Sequence, residues 1–205
     1  MISSRRKTIQ RLHPTRLAGC VACKLLYGAV QPIFRYDPWH SSAPYPCREY
    51  KRRTVQLAST VGARVAVDIG CGFGEIISRV DAASRYGIDR SPQAIRFARV
   101  LYGRKATFRV ASLASPQDLH AAIPEPSIDL LIMTNWLHGL PFAELRAMLT
   151  RLREAIPVQR LLMDSFRYAA DWHVHNAEQL ALLGKVETSV DGGDGHRDLY
   201  LIRLD

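Results

Sequence analysis

Two groups of residues in this chain have types and spacings suited to chemistry. The first is Asp68-Ile69-Gly70-Cys71-Gly72-Phe73-Gly74, an acid followed by three glycines at alternate positions, with a second acid, Asp89, 21 residues beyond Asp68. Glycines so placed let the backbone take angles that other residues resist and let a ligand approach the main chain closely. The third glycine falls one residue earlier than in the dinucleotide fingerprint. The second group is Asn135-Trp136-Leu137-His138. Histidine, with an unperturbed pKa of about 6.5, can accept a proton from a hydroxyl near neutral pH.

The elements around these groups follow from apolar runs and their punctuation. Residues 65–69 read as a buried parallel strand entering a tight turn, and a helix is expected to start over 75–80. Residues 85–89 form a short second strand that ends in Asp89, and Ser91-Pro92 then supplies a helix N-cap with proline at the first helical position. An acid at the tip of the second strand, after a glycine turn and one crossover helix, is where the ribose hydroxyls of a bound adenosine are held. Further strands are expected over 106–111, 128–134 and 160–166. Helices are expected over 49–60, with Lys51, Arg52 and Arg53 mostly toward solvent, and over 94–101 and 141–155. The end of the chain, 186–205, reads as two strands around Asp191-Gly192-Gly193-Asp194-Gly195. Ligands of open α/β sheets sit beyond the carboxyl ends of the strands, which puts residues 135–138 at the reacting centre.

On the Asp68 to Gly74 motif and Asp89 the chain resembles class I S-adenosylmethionine-dependent methyltransferases, over roughly residues 49–205. The resemblance implies a Rossmann-like α/β fold: a seven-stranded, mostly parallel sheet with helices on both faces and a C-terminal antiparallel hairpin. It also implies S-adenosylmethionine as cofactor. Gly70, Cys71, Gly72 and Gly74 would wrap its methionine end, Asp68 would hold its amino group, and Asp89 with neighbouring Arg90 would take the ribose. Ser112 stands where many members have an acid facing the adenine, and Asn135 would close the site. Methylases of base exocyclic amines in this family carry Asn or Asp followed by two prolines and an aromatic. Trp136 and Leu137 break that pattern.

His138 is the candidate general base, although members also use a histidine here only for packing. The expected reaction is methyl transfer to a hydroxyl of a small-molecule or saccharide acceptor contacted by Tyr36, His40, Trp136 and His173. The segment 36–50 is similar to that of small methyltransferases of bacterial surface-polysaccharide synthesis. Two alternatives are an RNA methyltransferase and a non-catalytic cofactor-binding partner subunit. The glycine spacing and the terminal hairpin argue against a nicotinamide dehydrogenase.

A chain of 205 residues, 47% hydrophobic, can bury one good core. Residues 1–48 read as a basic extension and lid-like loop, and 49–205 as the methyltransferase domain. Seven cations (Arg5, Arg6, Lys7, Arg11, Arg16, Lys24 and Arg35) precede the first acid, Asp37, which leaves 21 positive against 19 negative residues in the remainder. That leader, with the apolar segment 17–30, suits either a helix packed on the domain or peripheral contact with an anionic membrane. No apolar run is expected to be long enough to cross a bilayer. Cys20-x-x-Cys23 and His173-x-His175 lack the partners that would close a coordination set, so no metal is expected. Four cysteines (Cys20, Cys23, Cys47 and Cys71) without a disulfide framework point to a reducing, cytoplasmic location, with membrane association through the leader.

Overall fold

The computed structural model describes residues 14–167 and 172–204. The first four cations of the leader and Tyr168 to Asp171 lie outside them. Seven strands form one sheet: β1 (Val65–Ile69), β2 (Ser84–Asp89), β3 (Thr107–Val110), β4 (Ile128–Met133), β5 (Val158–Phe166), β6 (Gly184–Asp191) and β7 (Arg197–Leu204). Their order is β3-β2-β1-β4-β5-β7-β6. The first five are parallel, and β7 runs antiparallel between β5 and β6. The order reverses between β1 and β4, so the crevice beyond their carboxyl ends is the ligand-binding position of this architecture.

Helices cover both faces, which explains why β1 is buried throughout and apolar apart from its single acid, Asp68. They are α1 (Pro14–Phe34), α2 (Pro38–Ser41), α3 (Glu49–Ser59), α4 (Pro92–Tyr102), α5 (Pro116–Ala122), α6 (Phe142–Ala155) and α7 (Ala177–Ala181). On one face Val65, Val67, Ile69, Leu131 and Met133 pack with Leu145, Leu149 and Leu152 of α6. On the other, Ala66, Leu130 and Ile132 pack with Ala58 of α3 and Ile95 and Ala98 of α4. At the start of α4, Ser91 Oγ accepts the Ala94 N–H at 3.2 Å and Pro92 occupies the first turn, as the sequence indicated. The helix expected over 75–80 is shorter, a 3-10 turn at Ile77–Arg79.

A third core joins the N-terminal segment to the domain. Tyr27 of α1 and Tyr36 pack with Phe73 of the glycine turn and Phe97 of α4, with ring centroids 4.6–5.6 Å apart. Tyr36 is 1% exposed and its hydroxyl donates to the Tyr27 carbonyl. This overturns the expectation that Tyr36 meets the acceptor: its polar atom is satisfied by backbone and its ring is core.

Two further expectations are corrected in this region. Cys20 of α1 and Cys47 form a disulfide across 27 residues, where four free thiols were expected. Cys23 and Cys71 are free. By length and composition α1, at 21 residues, is long and apolar enough to cross a membrane, contrary to the reading of its sequence. Lys24 interrupts the run without making it too polar.

Candidate active site

The site is built on the turn after β1. Gly70, Gly72 and Gly74 all have positive φ, of 77°, 54° and 75°. At Gly70 an added Cβ would meet the Trp136 indole at 2.4 Å, and that indole N–H donates to the Ile69 carbonyl at 2.8 Å. Trp136, expected to touch the acceptor, therefore roofs the glycine turn. At Gly74 a Cβ would lie 2.2 Å from the Phe108 ring of β3. The glycines thus divide their work, with Gly70 and Gly72 lining a cleft and Gly74 admitting the core beneath it.

That cleft lies at the carboxyl ends of β1 and β4. Asp68, Gly70, Cys71, Gly72, Thr134, Asn135 and Trp136 form its floor and walls, with His40, Tyr50, Lys51 and Glu75 across from them. Asp68 is 2% exposed, and its carboxyl pKa is pushed up to about 7, first by burial and then by the nearby charge of Asp89, with Lys51 opposing. A buried acid that ionises near neutrality has the chemistry to receive an ammonium group. Burial pushes the Cys71 thiol well up, so it is a small inert wall residue.

Asp89 stands at the tip of β2 and accepts two backbone N–H bonds, from Gly72 and Ser91, both at 2.8 Å. It fixes the turn directly as well as standing where a ribose is expected. Arg90 is exposed beside it, and Ser112 at the end of β3 accepts the Ala114 N–H at 3.2 Å. Asp89, Arg90 and Ser112 share the strand-tip edge next to the cleft without forming its lining. His40 of α2 lies over Gly72 and stacks against Phe73 at 5.6 Å, with its pKa lowered chiefly by burial.

Several residues that organise the site were not singled out from the sequence. Glu75, 4% exposed, accepts the Tyr27 hydroxyl at 2.8 Å, the Tyr45 N–H at 2.9 Å and the Lys51 ammonium at 2.6 Å. Lys51 also donates to the Ala43 carbonyl, so it faces the cleft instead of solvent. Across the cleft, Asp164 at the end of β5 accepts the Asn135 N–H at 2.8 Å and the Arg197 guanidinium at 2.6 Å. Arg197 also bonds Asp194 at 2.7 Å and the Asn135 side chain at 3.0 Å, and lies over Tyr50 and Phe166 at 4.0 and 4.5 Å. This network holds Asn135 at a φ of 69°, costly for a residue with a side chain. An acid closing an apolar strand, as Asp68 and Asp89 do, was the available signal for Asp164.

His138 lies just past the cleft, in the 3-10 turn Leu137–Gly139. Its ring is 4.3 Å from Trp172 and edge-on to Phe166 at 5.2 Å, and its Nδ1 has no hydrogen-bond partner among the described residues. Burial lowers its pKa, opposed by Asp164, so it is neutral at pH 7. His173 is exposed, and only its backbone N–H reaches this group, donating to the His138 carbonyl at 2.9 Å. His175 is buried, with Nε2 3.1 Å from the Leu137 carbonyl, and belongs to the core.

Residues 67–157, which run from β1 through the helix after β4, match a family model described as a methyltransferase domain. No curated protein matched the sequence. Among solved structures the chain is similar to magnesium protoporphyrin IX methyltransferase from Synechocystis with bound S-adenosylmethionine, at 15% identity over 94% of this chain and 98% of that one, TM-score 0.59. It is also similar to the N-methyltransferase NodS from Bradyrhizobium japonicum in complex with S-adenosyl-L-homocysteine, at 18% identity over 87% and 97%, TM-score 0.62. An O-methyltransferase family protein from Burkholderia thailandensis matches at 14% identity over 94% of this chain and 61% of that one, TM-score 0.57. Residues 67–157 thus carry a methyltransferase domain, and the fold, with its glycine turn and cleft, is the one these class I S-adenosylmethionine-dependent methyltransferase structures share.

Proposed function

We propose that this methyltransferase transfers its methyl group to a hydroxyl of a small-molecule or saccharide acceptor, with His138 as the general base. S-adenosylmethionine supplies a methyl group activated by its sulfonium, and the protein's task is to align an oxygen in line with it and take the proton. Asp68 binds the cofactor's ammonium, and Asp89 its ribose. The observation that carries the reading is the His138 ring, its pKa lowered by burial, clustered with Trp172 and Phe166 beside the cleft. Aromatic faces there suit the apolar face of a sugar or another ring, while the imidazole accepts the proton. His40 and Trp136 border the approach to the cofactor.

The test is transfer of labelled methyl from S-adenosylmethionine into fractionated cell material, separating glycans and glycolipids, RNA, protein and small metabolites, with Asp89→Ala as the control. Label in the glycan or small-metabolite fraction that is lost in the control, and that resists conditions cleaving methyl esters, supports the reading. Label in RNA overturns it in favour of a nucleic-acid acceptor. Absence of label from every fraction, with cofactor binding intact, favours a non-catalytic partner subunit.

A further inference from the structure

Helix α1 is unusual in what it leaves uncovered. Of its 21 residues only Cys20 and Tyr27 are buried. Leu17, Val21, Leu25, Leu26 and Ile33 are 47–69% exposed, and Ala18, Ala22 and Ala29 fall between them on the outer side. A soluble surface helix normally turns a polar face outward. A contiguous apolar face of this kind marks an interaction surface.

We propose that this outer face of α1 lies in the interfacial layer of an anionic bilayer, parallel to the membrane plane. Two features select that occupant. The seven cations and no acid before Asp37 complement anionic headgroups. Pairing α1 with its copy in a second chain would instead bring two such cationic segments together, a like-charge arrangement that opposes association. The helix lies along the membrane and does not cross it, because its inner side is fastened to the domain. Cys20 is bonded to Cys47, the Tyr27 hydroxyl to Glu75, and Arg16 to Glu49 at 2.8 Å. Insertion across the bilayer would strip the buried Tyr27 and Glu75 of each other. α2, packed on α1, carries Trp39 at 55% exposure into the lining of the cleft, so the membrane sits beside the cofactor site.

The test uses the full chain with extruded vesicles of phosphatidylcholine alone or with about one-third phosphatidylglycerol, recovered by flotation at low and high salt. Wild-type protein is expected to float with the anionic vesicles and to be released by salt, whereas Val21→Asp combined with Leu25→Asp weakens partition by about tenfold or more. Unchanged melting temperature and S-adenosylhomocysteine affinity show that the variant is folded; if the aspartates lower either, Val21→Ser with Leu25→Ser repeats the comparison. Equal flotation of folded variant and wild type, or no flotation of wild type, overturns the proposal. A concentration-dependent dimer in sedimentation that the variant abolishes, without vesicle binding, assigns the face to a second copy and also overturns it.

Discussion

Asp68 offers the sharpest test of how the cleft recognises its cofactor. A carboxyl titrating at about 7 is ionised in only about one molecule in ten at pH 6 and in half of them at pH 7. If the cofactor's ammonium binds the carboxylate, binding must release nearly one proton at pH 6. Affinity should then rise about fivefold between pH 6 and pH 7, with the cofactor's own amino group protonated throughout that window. Titration calorimetry with S-adenosylhomocysteine in two buffers of different ionisation enthalpy measures the proton directly. Asp68→Asn should weaken binding by a few kcal/mol and abolish both the pH slope and the proton release.

The same group acts on the stability of the free protein in the opposite sense to the usual salt-bridged acid. Its folded pKa lies above the unfolded value of 3.8, so the folded state holds a proton that the unfolded chain gives up. Stability therefore declines as pH rises between those two values, by on the order of 4 kcal/mol as an upper bound, and Asp68→Asn should flatten the decline. A wild-type affinity that does not change across the window, or proton release that persists in Asp68→Asn, would refute the reasoning.

Two further predictions concern the opposite wall. His138→Ala should leave cofactor affinity unchanged, lower turnover by about 10²-fold, and remove an acid limb in the pH profile of kcat/KM that lies below 6.5 in wild type; a limb that survives the substitution returns His138 to packing. Arg197→Leu should destabilise the fold by about 3–5 kcal/mol in denaturant unfolding, because it leaves the buried Asp164 without its counter-charge, whereas Asp164→Asn combined with Arg197→Leu should recover part of that loss.

The strands and the glycine turn were legible because each is written locally, as an apolar run closed by an acid or by glycines. Hydrophobic periodicity sufficed for the C-terminal hairpin and for α3, α4 and α6, whereas the short α5 and α7 were not expected. What escaped was pairing at a distance. Glu75 follows the glycine motif directly, yet nothing local shows that Tyr27, 48 positions earlier, completes it. Arg197 opens β7, between β5 and β6, and finds Asp164 only because β7 runs antiparallel beside β5. Tyr36 sits in a proline- and aromatic-rich segment that looks like a binding loop, and its burial depends on Phe73 and Phe97 arriving from two other elements. The Cys20 to Cys47 bridge likewise requires α1 to be docked first, which spacing alone does not report.

The triple engagement of Glu75 bears on how the chain can be shortened. A cut between residues 48 and 49, natural from composition, would take away Tyr27 and the Tyr45 N–H and leave a sheltered carboxylate facing Lys51 alone. It would also bare Phe73 and Phe97 to water. Residues 14–48 thus act as the missing half of the cofactor turn's scaffold, and a truncated enzyme should lose its grip on S-adenosylmethionine even though every residue of the glycine motif is still present.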